Sequence, residues 1–132
     1  MRSILLLTAF LLTRVITAQE IVVAHEDDKV KVEYTISQVK KKGEMLGEIK
    51  LIITNKTSSY IEVDFVGSLF HNMVLAEATH LENLCVNPKQ IKKGKLKGLF
   101  YRPESLSYEQ LLEEDFELYI EDLKIKNVSS CK

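Results

Sequence analysis

From Val30 onward the chain places apolar residues at every second position. Val30, Val32, Tyr34 and Ile36 alternate with Lys31, Glu33, Thr35 and Ser37, and Ile49, Leu51 and Ile53 alternate with Glu48, Lys50 and Thr54. Ile61, Val63 and Phe65 do the same against Glu62 and Asp64. A period of two is that of a strand with one face in a core and the other in water. Lys40-Lys41-Lys42-Gly43 and Asn55-Lys56-Thr57-Ser58-Ser59 separate these segments. Both stretches are rich in turn residues, so the three segments predict a meander, with residues 21 to 24 as an edge strand before it. Residues 73 to 78 and 81 to 86 are apolar without strict alternation and predict one or two strands with a bend near His80, ended by Asn87-Pro88. Residues 95 to 101 predict another strand, stopped by Arg102-Pro103.

Ser107 stands three residues before Gln110, the spacing of a capping box, and predicts one short helix. Phe116, Leu118 and Ile120 then open a final strand running toward Ile125. About seven strands with short connections predict an all-β fold, an antiparallel immunoglobulin-like β-sandwich, with a small barrel as the alternative. The chain has no tryptophan, so it lacks the Cys-Trp-Cys core of antibody domains.

The first 18 residues follow another pattern. Met1-Arg2-Ser3 precedes an apolar run from residue 4 to 12, and the segment ends on Ala18, the layout of a secretory signal peptide. Arg14 breaks the run well short of the roughly 20 apolar residues of a membrane span. Cleavage after Ala18 leaves residues 19 to 132 as one β-sandwich domain, and Gln19 at the new terminus offers no thiol for a lipid anchor. The loss of Arg2 and Arg14 leaves sixteen bases against nineteen acids, a net charge of −3. That balance gives no pull toward nucleic acid. Cys85 and Cys131 are expected to pair in an oxidising compartment, the alternative being two free thiols. The resulting expectation is a secreted or periplasmic protein that does not span the membrane.

Candidate chemistry is sparse. The five glycines form neither a dinucleotide fingerprint nor a P-loop, and no nucleophile-elbow pattern surrounds Ser68. Neither an enzyme nor a cofactor is expected. His71-Asn72-Met73 is the one metal candidate: residues two apart on a strand share a face, and imidazole with thioether suits copper. Further ligands would have to come from His25, His80 or Met45, and the simpler reading is a polar histidine beside a core methionine. Glu26-Asp27-Asp28 lacks the spaced ligands of a calcium loop.

Charge is uneven. Five lysines, at 89, 92, 93, 95 and 97, occur without an acid between them. Seven acids, at 109, 113, 114, 115, 117, 121 and 122, occur without a base. Lys92, Lys93 and Lys95 are candidates for contact with an anionic surface such as an acidic polysaccharide. The alternative is that the lysines guard a sheet edge and that the opposite charges lie on neighbouring strands. Asn55-Lys56-Thr57 and Asn127-Val128-Ser129 match the N-glycosylation pattern, which has meaning only in a host that glycosylates.

In the C-terminal half, Asn87-Pro88, Lys92-Lys93-Gly94-Lys95, Gly98-Leu99-Phe100, Pro103-Glu104, Phe116-Glu117-Leu118-Tyr119 and Ile125-Lys126 resemble small secreted β-sandwich proteins of Bacteroidota bacteria. The resemblance covers roughly residues 19 to 132 and brings no active site with it. It implies a bacterial protein, periplasmic or extracellular, in which both glycosylation patterns are chance matches. The functional expectation is a non-enzymatic binding or interaction module for a protein or glycan partner, with a copper carrier using His71 and Met73 as the alternative.

Overall fold

The computed structural model describes residues 20 to 94 and 98 to 132. The expected signal peptide, residue Gln19, and Lys95 and Lys97 of the lysine run lie outside the described residues. Among the described residues, eight strands and one helix follow in order: β1 (Val22–Glu26), β2 (Val30–Lys41), β3 (Glu44–Asn55), β4 (Tyr60–His71), β5 (Val74–Val86), β6 (Ile91–Lys92), β7 (Phe100–Tyr101), α1 (Tyr108–Leu111) and β8 (Phe116–Val128). They form two antiparallel sheets. One has the order β1-β2-β3-β6, with β7 also on β3, and the other has the order β5-β4-β8. The expected all-β sandwich with one short helix is what forms.

The alternation seen in the sequence explains the layers. Val30, Val32, Tyr34, Ile49, Leu51 and Ile53 of the first sheet, and Ile61, Val63, Phe65 and Leu69 of the second, are all buried and make one core. Each buried aliphatic side chain of this kind contributes about 1.5–3 kcal/mol. Two long hairpins, β2–β3 and β4–β5, supply most of it, and each closes on a two-residue turn, with Lys41 opposite Glu44 and His71 opposite Val74. Both tips lie at one pole of the sandwich. The β3–β4 loop, the 87–92 segment and the end of β8 lie at the other.

Helix α1 plugs the tip pole. Ser107 accepts from Gln110 N–H at 3.2 Å and Gln110 returns its side chain to Ser107 N–H at 2.8 Å, which forms the predicted capping box. The helix approaches β3 so closely that a Cβ on Gly47 would lie 2.6 Å from Leu111 Cδ1 and 3.1 Å from Tyr108 Cα. Any larger residue there requires Leu111 and the start of the helix to shift.

The opposite pole is tied by Asn55, whose residue is 0 % exposed. Its Nδ2 donates to the carbonyls of Ser59 (2.8 Å), Val86 (3.1 Å) and Asn87 (3.1 Å), and its Oδ1 accepts from Thr57 N–H at 2.9 Å and Thr57 Oγ1 at 2.7 Å. Asn55 therefore does more than shape a turn, and its amide is wholly enclosed. Asn127, in the second glycosylation pattern, is exposed on β8.

The three-stranded sheet is fastened at both edges. Cys85 near the end of β5 is bonded to Cys131 beyond β8, closing a separation of 46 residues, so the expected disulfide forms. It is a pairing suited to an oxidising compartment. Glu77 of β5 faces inward and accepts from the Tyr101 hydroxyl, Ser105 N–H and Ser105 Oγ, which joins the β5 edge to β7. Burial alone pushes the Glu77 carboxyl up, but these hydrogen bonds outweigh it and hold the group below its ordinary value. Burial and then the Glu77 contact raise Tyr101.

Candidate functional site

The candidate site lies at the tip of the β4–β5 hairpin. Asn72 and Met73 both have positive φ, 50° and 65°, the sign pattern of a type I′ turn. Asparagine tolerates this conformation, whereas methionine at the second position is disfavoured by about 1–2 kcal/mol. The turn is docked on the segment between α1 and β8: Asn72 N–H donates to Asp115 O at 3.3 Å, and His71 Nε2 lies 2.7 Å from Glu113 Oε2. Met73 is left 95 % exposed, with Val74 and Leu75 following it in the open.

This turn removes the basis of the copper reading. His71 ends β4 and Met73 sits in the loop, so the two are not successive residues on one strand face. His71 is instead bonded to Glu113, and Met73 is not a core methionine. His80 lies opposite Val66 in the β4–β5 ladder, and His25 is hydrogen-bonded to Asp27 at 2.7 Å in the β1–β2 turn region. Among the described residues no group of three or more His, Cys, Asp or Glu side chains is placed to hold a metal ion.

On the outer face of the second sheet, register brings the aromatic and acidic residues together. Ser68 of β4 pairs with Tyr119 of β8, and Phe70 pairs with Glu117. The Phe70 and Tyr119 rings meet edge to face, 5.3 Å between centroids at 89°. Ser68 Oγ donates to Glu121 Oε2 at 3.1 Å, and the Tyr119 hydroxyl donates to Glu117. The bond to Glu117 and its charge raise the phenol of Tyr119. Phe70, Tyr119 and Met73 thus form the apolar part of a groove of about 610 Å³, and Glu114, Asp115, Glu117 and Glu121 form the rest of its lining. Among the described residues none of these four carboxylates is in an ion pair. Such a surface can seat an apolar side chain against the rings while holding a cationic group at its rim.

The described lysines of the basic run, Lys89, Lys92 and Lys93, lie elsewhere. Ile91 and Lys92 of β6 pair with Thr54 and Ile53 of β3, in the other sheet and at the other pole. Among the described lysines, Lys92 is therefore not on a strand next to β8, and for it that part of the simpler charge explanation does not hold. Edge protection fits better, since Ile91 and Lys92 flank the end of β3. Sequence reasoning noticed Met73 and the acidic run separately but not the groove, because its lining comes from two stretches, residues 70–73 and 114–121, that are distant in sequence and brought together by strand register and the docked turn.

No helix among the described residues is long and apolar enough to cross a membrane. No protein-family model matches this chain, and no curated protein or solved structure matches it.

Proposed function

We propose that the protein is an exported, non-enzymatic interaction module whose groove on the β5-β4-β8 sheet receives a cationic, partly apolar segment of a protein partner. One observation carries this reading. Met73 occupies a strained turn position, is 95 % exposed, and stands beside two aromatic rings and four carboxylates that have no ion partner among the described residues. Folding gains nothing from methionine at position 73, because glycine would relieve the turn and a polar residue would suit the solvent. Local rules broken together at one place are a mark of a contact surface.

A synthetic peptide alternating lysine with leucine is the probe, and one alternating glutamate with leucine is the control. The lysine peptide binds the purified protein, more weakly as salt rises, while the glutamate peptide does not. Replacing both Glu117→Lys and Glu121→Lys weakens binding about tenfold, since exposed pairs contribute up to about 1 kcal/mol each. Met73→Ala weakens it by a smaller factor at all salt concentrations. Equal binding of the two peptides, or indifference to the charge reversals in a normally folded variant, overturns the reading.

A further inference from the structure

The groove calls for a ligand that is basic and partly apolar, and the chain displays such a segment at its opposite pole. Ile91 is 54 % exposed, Lys93 is exposed beside it, and Lys92 is half-buried on the same two-residue strand. Among the described residues neither Lys92 nor Lys93 has an ion partner. The segment is also held in shape. Lys89 N–H donates to Thr57 O at 3.1 Å, Gln90 N–H to Asn87 O at 3.1 Å, and Asn55 N–H to Gln90 O at 3.0 Å, besides the pairing of β6 with β3. A segment ordered in advance loses little freedom when it binds.

Within one molecule the two surfaces cannot meet. Strand β4 runs the length of the sandwich, from Tyr60 near the basic segment to His71 beside the groove. Its twelve residues span roughly 36 Å at about 3.3 Å per step, far beyond the reach of a lysine side chain. The surfaces match in kind: Ile91 against the rings of Phe70 and Tyr119, and Lys92 and Lys93 against Glu117, Glu121 and Glu114.

We infer that the groove of one copy takes residues 89 to 93 of a second copy, head to tail. This rests on the reading of the groove as a seat for cationic segments. The two contacting surfaces differ, so the contact is heterologous, and repetition along the long axis extends a row instead of closing a dimer. It is governed largely by exposed charges, so it is weak and sensitive to salt.

Sedimentation velocity of the purified protein over a range of concentrations tests it, at about 20 mM and about 0.5 M salt. The weight-average mass rises with concentration at low salt and falls to that of the monomer at high salt. The Lys92→Glu, Lys93→Glu variant alone is monomeric, as is the Glu117→Lys, Glu121→Lys variant alone. Mixing the two restores association, because the first retains an acidic groove and the second a basic segment. A circular dichroism melt of each variant confirms that it is folded. If the unmodified protein stays monomeric while its groove binds the lysine peptide, self-association is overturned and the binding module stands. If neither the peptide nor a second copy binds, both fail. Association that survives both charge reversals places the interface elsewhere and also overturns the inference.

Discussion

The β2–β3 and β4–β5 hairpins begin with nearly the same plan: strands of twelve or thirteen residues, a two-residue turn with positive φ, and an inner face of aliphatic side chains. Their surroundings separate them. Strands β2 and β3 are paired on both sides, by β1 and by β6 and β7, and their turn carries Gly43 where positive φ is needed. Among the described residues strand β5 has β4 as its only ladder partner, its register with β4 shifts twice, and its turn carries Met73. The first hairpin keeps closer to local rules, with Lys42 at φ 51° but Gly43 at the second turn position, and shares the core with the second. The second departs from them at its tip and along its edge, where it meets solvent and, on the reading proposed above, a partner. Two similar hairpins can thus divide the work of folding and of recognition.

If the three-stranded sheet depends on added bracing, the disulfide is the largest single test. Cys85 and Cys131 close 46 residues of chain, and a loop of that size corresponds to about 4 kcal/mol of stabilisation through restriction of the unfolded state. The Cys85→Ser, Cys131→Ser protein is expected to lose about that much in urea unfolding. Hydrogen exchange sharpens the comparison: protection falls first in β5 and β8 and least in β2 and β3. Equal loss in both sheets would mean that the bridge braces the whole molecule and that the hairpins do not differ in this respect.

The turns provide a smaller test with opposite signs. Met73→Gly relieves a left-handed position and is expected to stabilise by about 1 kcal/mol. Gly43→Ala imposes the same strain at φ 81°, with no neighbour within 4 Å to complicate it, and is expected to destabilise by about 1 kcal/mol. Thermal melts of the two variants decide it, and shifts of the same sign would break the comparison. The same Met73→Gly protein should bind the lysine peptide less well, so that stability and binding move in opposite directions.

Much of the fold was legible because alternation reports a wet and a dry face. That condition holds over residues 30–34, 49–53 and 61–65, whereas Thr35, Ser37 and Glu48, on the face of β2 and β3 expected to be wet, are buried. The condition fails for β5. Glu77 points inward there to meet Tyr101 and Ser105, and Asn83 takes φ 54° opposite Asp64, whose Oδ1 accepts from its N–H at 2.9 Å. The bend expected near His80 is this irregularity, in one continuous strand. Of the strand expected over residues 95 to 101, only Phe100–Tyr101 is a strand among the described residues. The capping box was readable because its partners are three residues apart. The groove was not, since nothing local in residues 70–73 or 114–121 says that they lie side by side. The His71 and Met73 pairing failed for a related reason: an Asn-Met turn lacks the glycine that marks most tight hairpins, so a strand was extended through it.

The smallest effect belongs to the β1–β2 turn, which secures the edge of the better-paired sheet. Asp27 Oδ1 accepts from Lys29 N–H at 2.7 Å and Val30 N–H at 2.9 Å, while Oδ2 meets His25 Nε2 at 2.7 Å. Burial pushes this carboxyl up, but the bonds from Val30, His25 and Lys29 and the charge of His25 prevail and lower it from 3.8 to about 2. A group depressed on folding adds stability that is fully present above its unfolded value and is lost as pH falls through its folded value. The unmodified protein should therefore exceed Asp27→Asn in stability above about pH 4, lose that advantage between about pH 4 and 2, and show none below. Urea midpoints of both proteins at several pH values provide the measurement. Because the carboxylate is partly exposed, the gap is small and shrinks with salt. A gap that persists unchanged below pH 2 would mean that the turn depends on the shape of the side chain and not on its charge. The edge of the first sheet would then be held, like its hairpin, by local geometry alone.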